Sequence, residues 1–318
     1  MDIMINSISD ILNFRYDPRF LTWFKPNLLS QQEIEKHLLI APLVFKNFNI
    51  SIIHQQINVN TDFTTNDVYC DVVRLRRIKT ILTNHPGEFD NLVCAGDDIH
   101  LSRNIEYLQE VRHLFKHIYY EAKDIECDWV TTIPMGTIMA YMLRCGGDQI
   151  LKILHHINKP KTKTRLIGSA FGSRWPSVTK KVQDRGLLAD FTQSSPFMDN
   201  MFCHPLDYFE KLSDYKFFAC PLGNGIQTPK ICESILCETV PVVTNHIAHR
   251  ELRDIYDLPL LIVDKWEDLT EQLLNEAYES KFKHIDWQKE KSKFLVENFQ
   301  SLLIPKDIKL QSFNRYLQ

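Results

Sequence analysis

YKFFACPLGNGIQTPKICESILCETVPVV, residues 215–243, reads as a strand, a glycine-bearing turn, a capped helix and a second strand. In an α/β protein that order brings backbone N–H groups and a helix start to the carboxyl end of a strand, where a phosphate can be held. The chain has only ten glycines, and Gly223 and Gly225 flank Asn224 at this turn. Glycine therefore stands where close backbone approach or a positive φ is useful. Thr228 followed by Pro229 predicts the helix start, with Thr as N-cap and Pro at the first helical position.

At about 100° per residue, Ile231, Cys232, Ile235 and Leu236 fall on one side of this helix, and Lys230, Glu233 and Cys237 on the other. Two readings fit the second face. Lys230 and Glu233 can form an exposed i,i+3 ion pair worth about 0.2–0.5 kcal/mol. Alternatively, the turn and helix start hold a diphosphate while the Glu233 carboxylate accepts hydrogen bonds from ribose hydroxyls. Spacing alone does not separate the two.

The remaining sequence supplies the frame. At 318 residues the chain suits two domains of about 150 residues each. With 44% apolar and 24% charged residues and a net charge of −3, it reads as globular with no general drive toward nucleic acid. Strand-like runs at 49–54, 91–95 and 129–133 are rich in β-formers. Between the last two, Ile105, Leu108, Val111, Leu114, Phe115 and Ile118 keep helical spacing, which predicts a helix over 104–120. Residues 55–90 begin with the polar INVNTDFTTND, which suits a long surface loop.

HINKPKTKT, residues 156–164, is the best linker segment, and it divides the chain into a first unit at 1–157 and a second unit at 158–284. The second half continues as strands at 165–170, 215–220, 240–244 and 259–263, with helices at 176–186, 205–213, 229–237 and 249–256. This is a doubly wound, parallel α/β pattern. Two helical stretches follow, at 267–279 and 285–301, the second opening a closing helical segment at 285–318 that can pack back on the first unit.

The eight cysteines show no CxxC pair and read as reduced, buried core residues. The beginning lacks a basic segment followed by an apolar run, and no stretch approaches about 18 apolar residues. A soluble, cytoplasmic chain without a transmembrane segment is expected, in the host cytoplasm if the source is viral.

CPLGNGIQTPKICESILCETVPVV followed by IYDLPLLIVDKWEDLT resembles the donor-binding half of exostosin-like glycosyltransferases. These carry a CPxGNG turn, a helix with a central Glu, a PVV or PIV strand and a DLP-(apolar)-VD-x-W run. The match is nearly continuous over the 55 positions from Lys216 to Thr270. TTIPMG at 131–136 is similar to the family's VTPIPLG segment, and 165–182 to its basic strand–helix unit.

The resemblance implies a GT-B fold, two Rossmann-like domains facing a cleft, and inverting transfer of a sugar from a nucleoside diphosphate, with UDP as the nucleotide. A hydroxyl of a glycan or glycoprotein is the implied acceptor. Glu233 is the implied ribose ligand, with Gly223, Asn224 and Gly225 under the donor and Thr228 and Lys230 at the helix start. Relatives often have Arg where this chain has Lys230, which keeps the charge but loses the bidentate fork.

Arg174, at the turn in FGSRWPSVTKK, and Lys180 are candidates to neutralise the pyrophosphate as the sugar leaves. The general base must come from the first half, where CAGDDIH (94–100) ends a strand. Asp97, Asp98 and His100 are the candidates, against the plainer reading that the two aspartates cap the next helix. Asp97-Asp98 lacks the spacing of a metal-holding DxD motif, so no essential metal or other cofactor is expected. The rival class is a non-catalytic nucleotide- or glycan-binding protein on a degenerate fold of the same type.

Overall fold

In the computed structural model, Tyr215–Ala219 is the middle strand of a five-stranded parallel sheet. The structure describes residues 50–53, 56–59, 66–83, 89–96, 98–136, 161–170, 183–201, 203 and 207–294. The first sheet contains β1 (Ile50–Ile53), β2 (Gln56–Val59), β3 (Val68–Asp71), β4 (Phe89–Ala95), β5 (Phe115–Tyr120) and β6 (Val130–Thr132). Its order is β2-β1-β3-β4-β5-β6, parallel except for the β1/β2 hairpin.

The second sheet contains β7 (Arg165–Ser169), β8 (Met198–Asn200), β9 (Tyr215–Ala219), β10 (Val240–Thr244) and β11 (Leu261–Val263), in the order β11-β10-β9-β7-β8. Counted within its own half, this is the doubly wound order 2-1-3-4-5. Its strand direction of travel reverses between β7 and β9, the crevice where such sheets bind ligands.

Alternation along the second sheet builds two cores. Phe217, Val240 and Val242 face a cluster with Leu188, Trp266, Leu274 and Phe282. Phe218 and Val243 face the other way, against helices Tyr208–Leu212, Lys230–Leu236 and Ile247–Tyr256. Tyr69, Val93, Ala95 and Tyr119 of the first sheet belong to that second cluster, so one apolar core is continuous between the halves. The opposite face of the first sheet has its own core, with Val68, Cys70, Leu92, Cys94, Ile118 and Tyr120. The second sheet is thus wholly parallel and the first parallel apart from β2, both are flanked by helices, and the arrangement is consistent with a GT-B-like architecture.

Local assignments differ from the sequence reading at several places. The helix expected over 104–120 runs only from Ile105 to Val111, and Phe115–Tyr120 is a strand inside the sheet. FKHIYY is aromatic and β-branched, and with Leu114 it satisfies helical spacing by coincidence. Burial on both sheet faces selects the strand. The expected loop in 55–90 holds β2, β3, a 3-10 helix at Val72–Arg77 and a helix at Ile78–Thr83. The helix placed at 176–186 continues to Ser194 in its described part, Gln183–Ser194, and the edge strand β8 was not anticipated. Residues 156–160 of the linker segment, 176–182 of that helix, and everything after 294 lie outside the described residues.

Lys163, in the described end of the linker segment, donates to Ser213 O, Cys237 O and Thr239 Oγ1, each at 2.9 Å. It gathers the carboxyl ends of helices Tyr208–Leu212 and Lys230–Leu236, where a cation is favoured by their dipoles. Burial lowers its pKa to about 8. Helix Trp287–Ser292 packs on the same side, with Lys291 paired to Glu238 at 2.6 Å and Lys293 donating to Tyr256 O and Asp257 O. Seven described cysteines are free thiols, five of them buried; Cys145 lies outside the described residues.

The halves are also joined by buried polar groups. Lys123 Nζ donates to Cys127 O, Val130 O and Glu251 Oε1 at 2.9, 2.7 and 2.6 Å. Glu251 Oε2 accepts from Thr132 N at 2.7 Å, and Tyr256 Oη donates to Thr132 O at 2.5 Å. Removing one partner of a buried ion pair strands the other. Glu251→Leu should therefore cost about 3–5 kcal/mol in denaturant unfolding, while substitution of the exposed Glu279, paired with Lys283, should leave the unfolding midpoint essentially unchanged.

Candidate functional site

Asp and Arg side chains of helix Gln183–Ser194 grip the glycine turn where it begins. Asp184 Oδ2 accepts from Leu222 N at 2.7 Å, and Arg185 Nε donates to Leu222 O at 3.2 Å. Trp266 Nε1 holds Asp184 Oδ1 at 2.8 Å, so the tryptophan of the DKWEDL run orients the aspartate that orients the turn. Burial raises the Asp184 pKa, and the Leu222 and Trp266 hydrogen bonds oppose that rise.

The turn closes on itself. Gly223 N donates to Ile226 O at 3.0 Å, Ile226 N to Gly223 O at 3.2 Å, and Gln227 N to Gly225 O at 2.9 Å. The residue at positive φ is Ile226, at 71°, rather than either glycine. Gly223 and Gly225 serve close approach. A Cβ on Gly223 would stand 2.6 Å from Gln227 O, and one on Gly225 would stand 2.6 Å from Asp98 Oδ1 and 3.2 Å from Asp98 Cα. The partner brought near Gly225 is thus the DDIH loop of the first half.

Gln227, which the sequence reading did not single out, docks the turn. Its Nε2 donates to Glu121 O at 2.7 Å and Ile133 O at 2.8 Å, and its Oε1 accepts from Met135 N at 2.9 Å. Those partners follow the carboxyl ends of β5 and β6, so the two sheets face each other through these ends. A buried amide between polar turn residues has no distinguishing signal in one sequence; only its place directly after the GNG turn marks it.

Strand β4 ends at Ala95, and Gly96 follows at φ 93°. The alternation that would turn Asp98 and His100 to one side therefore does not extend to them. Neither short helix after the loop has a side-chain cap, so Asp98 is not a helix cap. His100 Nε2 donates to Asn224 O at 2.7 Å, and its Nδ1 lies 3.5 Å from Asp124 Oδ2. Asp124 also holds Ser102 N and Oγ at 2.8 and 2.6 Å. Asp97, Arg174 and Lys180 lie outside the described residues.

Helix Lys230–Leu236 begins one residue after Pro229, whose φ and ψ are already helical, without a side-chain cap hydrogen bond; Thr228 O accepts from Ile231 N at 3.1 Å. All residues from Ile231 to Leu236 are buried, including Glu233 at 7% exposure, which removes the solvated ion-pair reading. Burial raises the Glu233 pKa, partly offset by Lys230 and Tyr208. Lys230 Nζ lies 5.1 Å from the Tyr208 ring centroid. The Tyr208 hydroxyl stands beside Glu233 but closes no hydrogen bond of ordinary geometry and is buried without a partner. Glu233, Lys230 and Tyr208 thus form a polar group near Cys220, at the carboxyl end of β9 and beside the β7/β9 crevice.

One further buried group lies behind β10. His249 Nδ1 donates to Thr244 O at 2.8 Å, leaving Nε2 a bare acceptor without a donor, and burial lowers its pKa to about 4. Among the described residues no three His, Cys, Asp or Glu side chains gather as metal ligands, and no helix is long and apolar enough to cross a membrane.

No family model and no curated protein matches this chain. Among solved structures it is similar to a crystal structure of an alpha1,3-fucosyltransferase, at 12% identity and a TM-score of 0.31, over 80% of this chain and 78% of that one. None of these findings assigns a family or an activity to the chain.

Gly225→Ala should destabilise the protein by about 1–3 kcal/mol through its clash with Asp98. A double-mutant cycle with Asp98→Ala should show a coupling of at least about 0.5 kcal/mol; additivity would mean the contact is not made. His249 favours the folded state only while neutral. Because its folded pKa is depressed from 6.5 to about 4, its contribution is present above pH 6.5 and lost as pH falls through about 4. Urea unfolding of His249→Met should lack that part of the acid destabilisation seen in the unsubstituted protein.

Proposed function

We propose that this chain is an inverting glycosyltransferase of exostosin-like type that moves a sugar from a nucleoside diphosphate, UDP, to a hydroxyl of a glycan or glycoprotein. The observation that supports it best is the polar group at the β7/β9 crevice: a buried carboxylate, Glu233, beside an unpartnered tyrosine hydroxyl and a lysine. A buried carboxylate with few donors is poised to accept from a ligand's hydroxyl pair, which would repay part of its desolvation. In this reading Glu233 binds the ribose, Lys230 and the turn at Gly223–Gly225 lie along the diphosphate, and Thr228 lines the helix start. Arg174 and Lys180, which follow β7 in the sequence, are the cations assigned to the diphosphate in this reading.

The acceptor hydroxyl attacks the anomeric carbon from the face opposite the nucleotide, and a carboxylate or imidazole of the DDIH loop takes its proton. The C–O bond to the diphosphate breaks with its electron pair leaving on UDP. Basic groups neutralise that charge, and no metal is assigned a role. Asp98 is the preferred base among the described residues, because His100 donates to Asn224 O and faces Asp124. The same engagement of His100 favours, as the second reading, a binding protein that has lost its base. Slow hydrolysis of one sugar nucleotide in a radiolabelled panel supports the enzyme, and an inert panel supports the binding protein.

Glu233→Ala should weaken UDP binding about 10- to 100-fold by calorimetry, and unchanged affinity would remove Glu233 from the site. The raised Glu233 pKa gives a second check. The ionised form accepts hydroxyl donors best, so uridine, which carries no phosphate to titrate, should bind more weakly as pH falls through that pKa. Glu233→Gln should abolish the dependence.

A further inference from the structure

Between Leu222 and Gln227, the N–H groups of Leu222, Gly223, Ile226 and Gln227 donate inside the molecule. Those of Asn224 and Gly225 donate to nothing among the described residues. Two successive free N–H groups in a turn are what an anion needs. Asn224 is exposed and Gly225 is buried, so something covers the second of them.

The cover is the segment that follows β4 in the first half. A Cβ on Gly225 would stand 2.6 Å from Asp98 Oδ1 and 3.2 Å from Asp98 Cα, so no side chain could come between the two backbones. Asp98 is exposed, and among the described residues its carboxyl group has no hydrogen-bond or ion-pair partner. An acid with no partner of its own thus stands where an anionic ligand would meet the turn. His100 holds the segment in place. Its Nε2 donates to Asn224 O at 2.7 Å, and its Nδ1 faces Asp124 Oδ2 at 3.5 Å, which Ser102 fixes through N and Oγ.

Asp98 and a diphosphate cannot share this turn, because both are anionic and like charges in contact repel. A contact made for stability alone would give the carboxylate a donor, yet the Gly225 N–H beside it closes no bond with it. We propose that Asp98 and His100 form an autoinhibitory latch that covers the diphosphate seat at Asn224 and Gly225 in the unliganded protein and is displaced by the diphosphate. This rests on the nucleotide-sugar reading of the crevice. It regulates that site by freeing Asp98, the proposed base, only when a donor is in place. Gln227 and the Lys123–Glu251 pair keep the halves joined throughout, so only the segment after β4 has to move. A latch closed most of the time lowers apparent affinity by the open fraction. Weakening it must therefore tighten binding, the opposite of what loss of a ligand-binding side chain does.

Calorimetry on the full chain, with inorganic pyrophosphate, UDP and the phosphate-free uridine, tests the latch. Asp98→Asn should bind pyrophosphate and UDP about tenfold more tightly than the unsubstituted protein. His100→Ala removes one hydrogen bond of the latch and no negative charge, and should bind both about 2- to 10-fold more tightly. Uridine affinity should change in neither. Glu106→Gln, which removes an exposed acid of the same half, should leave all three affinities as they are. Pyrophosphate and UDP binding that is unchanged or weaker in both latch variants overturns the proposal, as does pyrophosphate binding undetectable in every form. An equal gain for uridine, or in Glu106→Gln, also overturns it, since the effect would then lie in the whole site or in net charge. Tighter pyrophosphate binding without UDP binding in any form would sink the nucleotide reading and leave the latch. UDP binding by the unsubstituted protein that neither substitution alters would sink the latch and leave the nucleotide reading.

Discussion

Everything at the candidate site depends on one buried side-chain amide. Gln227 spends both N–H donors on carbonyls of the first half and its oxygen on a third backbone group there. Each of those carbonyls and N–H groups lies just past the end of a strand, where the sheet no longer supplies a partner. Gln227 thus completes the hydrogen bonding of two strand ends and fixes the GNG turn in the same act. The Lys123–Glu251 pair and the Tyr256 hydroxyl repeat the device nearby, again with Thr132 and its neighbours as the receiving surface.

This changes what the glycines mean. A GNG turn beside a strand suggests a seat for phosphate, and in this fold it is also a seat for protein. The N–H groups of Leu222, Gly223, Ile226 and Gln227 are all engaged inside the molecule, and the missing side chain of Gly225 makes room for Asp98. In the proposed function the polar contacts with the nucleotide fall on Glu233 of the following helix and on Tyr208 beside it, whose hydroxyl is buried with unspent hydrogen-bonding capacity. The turn's contribution is rigidity, holding the two halves of the crevice at a fixed spacing.

The second half was legible because its strands are short, mostly apolar and separated by strong turn signals: β9, β10, β11 and helices Lys230–Leu236 and Ile247–Tyr256 fall within about two residues of where the pattern puts them. The first half was harder. Phe115–Tyr120 is buried on both faces, and such a strand has no alternation to distinguish it from a helix. Strand β3 follows a polar run that disguises it. At the site, Glu233 was visible from its place on the helix. Gln227 and Asp184 were not, since their roles arise from partners far along the chain, which a single sequence does not record.

Lys163 has a consequence of another kind. Its amine sits among three acceptors at the start of the second sheet, with its pKa drawn down to about 8. Near neutrality it is closer to its free-base form than an ordinary lysine, yet the fold covers it. An acylating reagent would therefore label it chiefly through local openings of the region where two helices end. The protein carries in this one residue an internal clock for the breathing of its second unit, readable by mass without any engineered label.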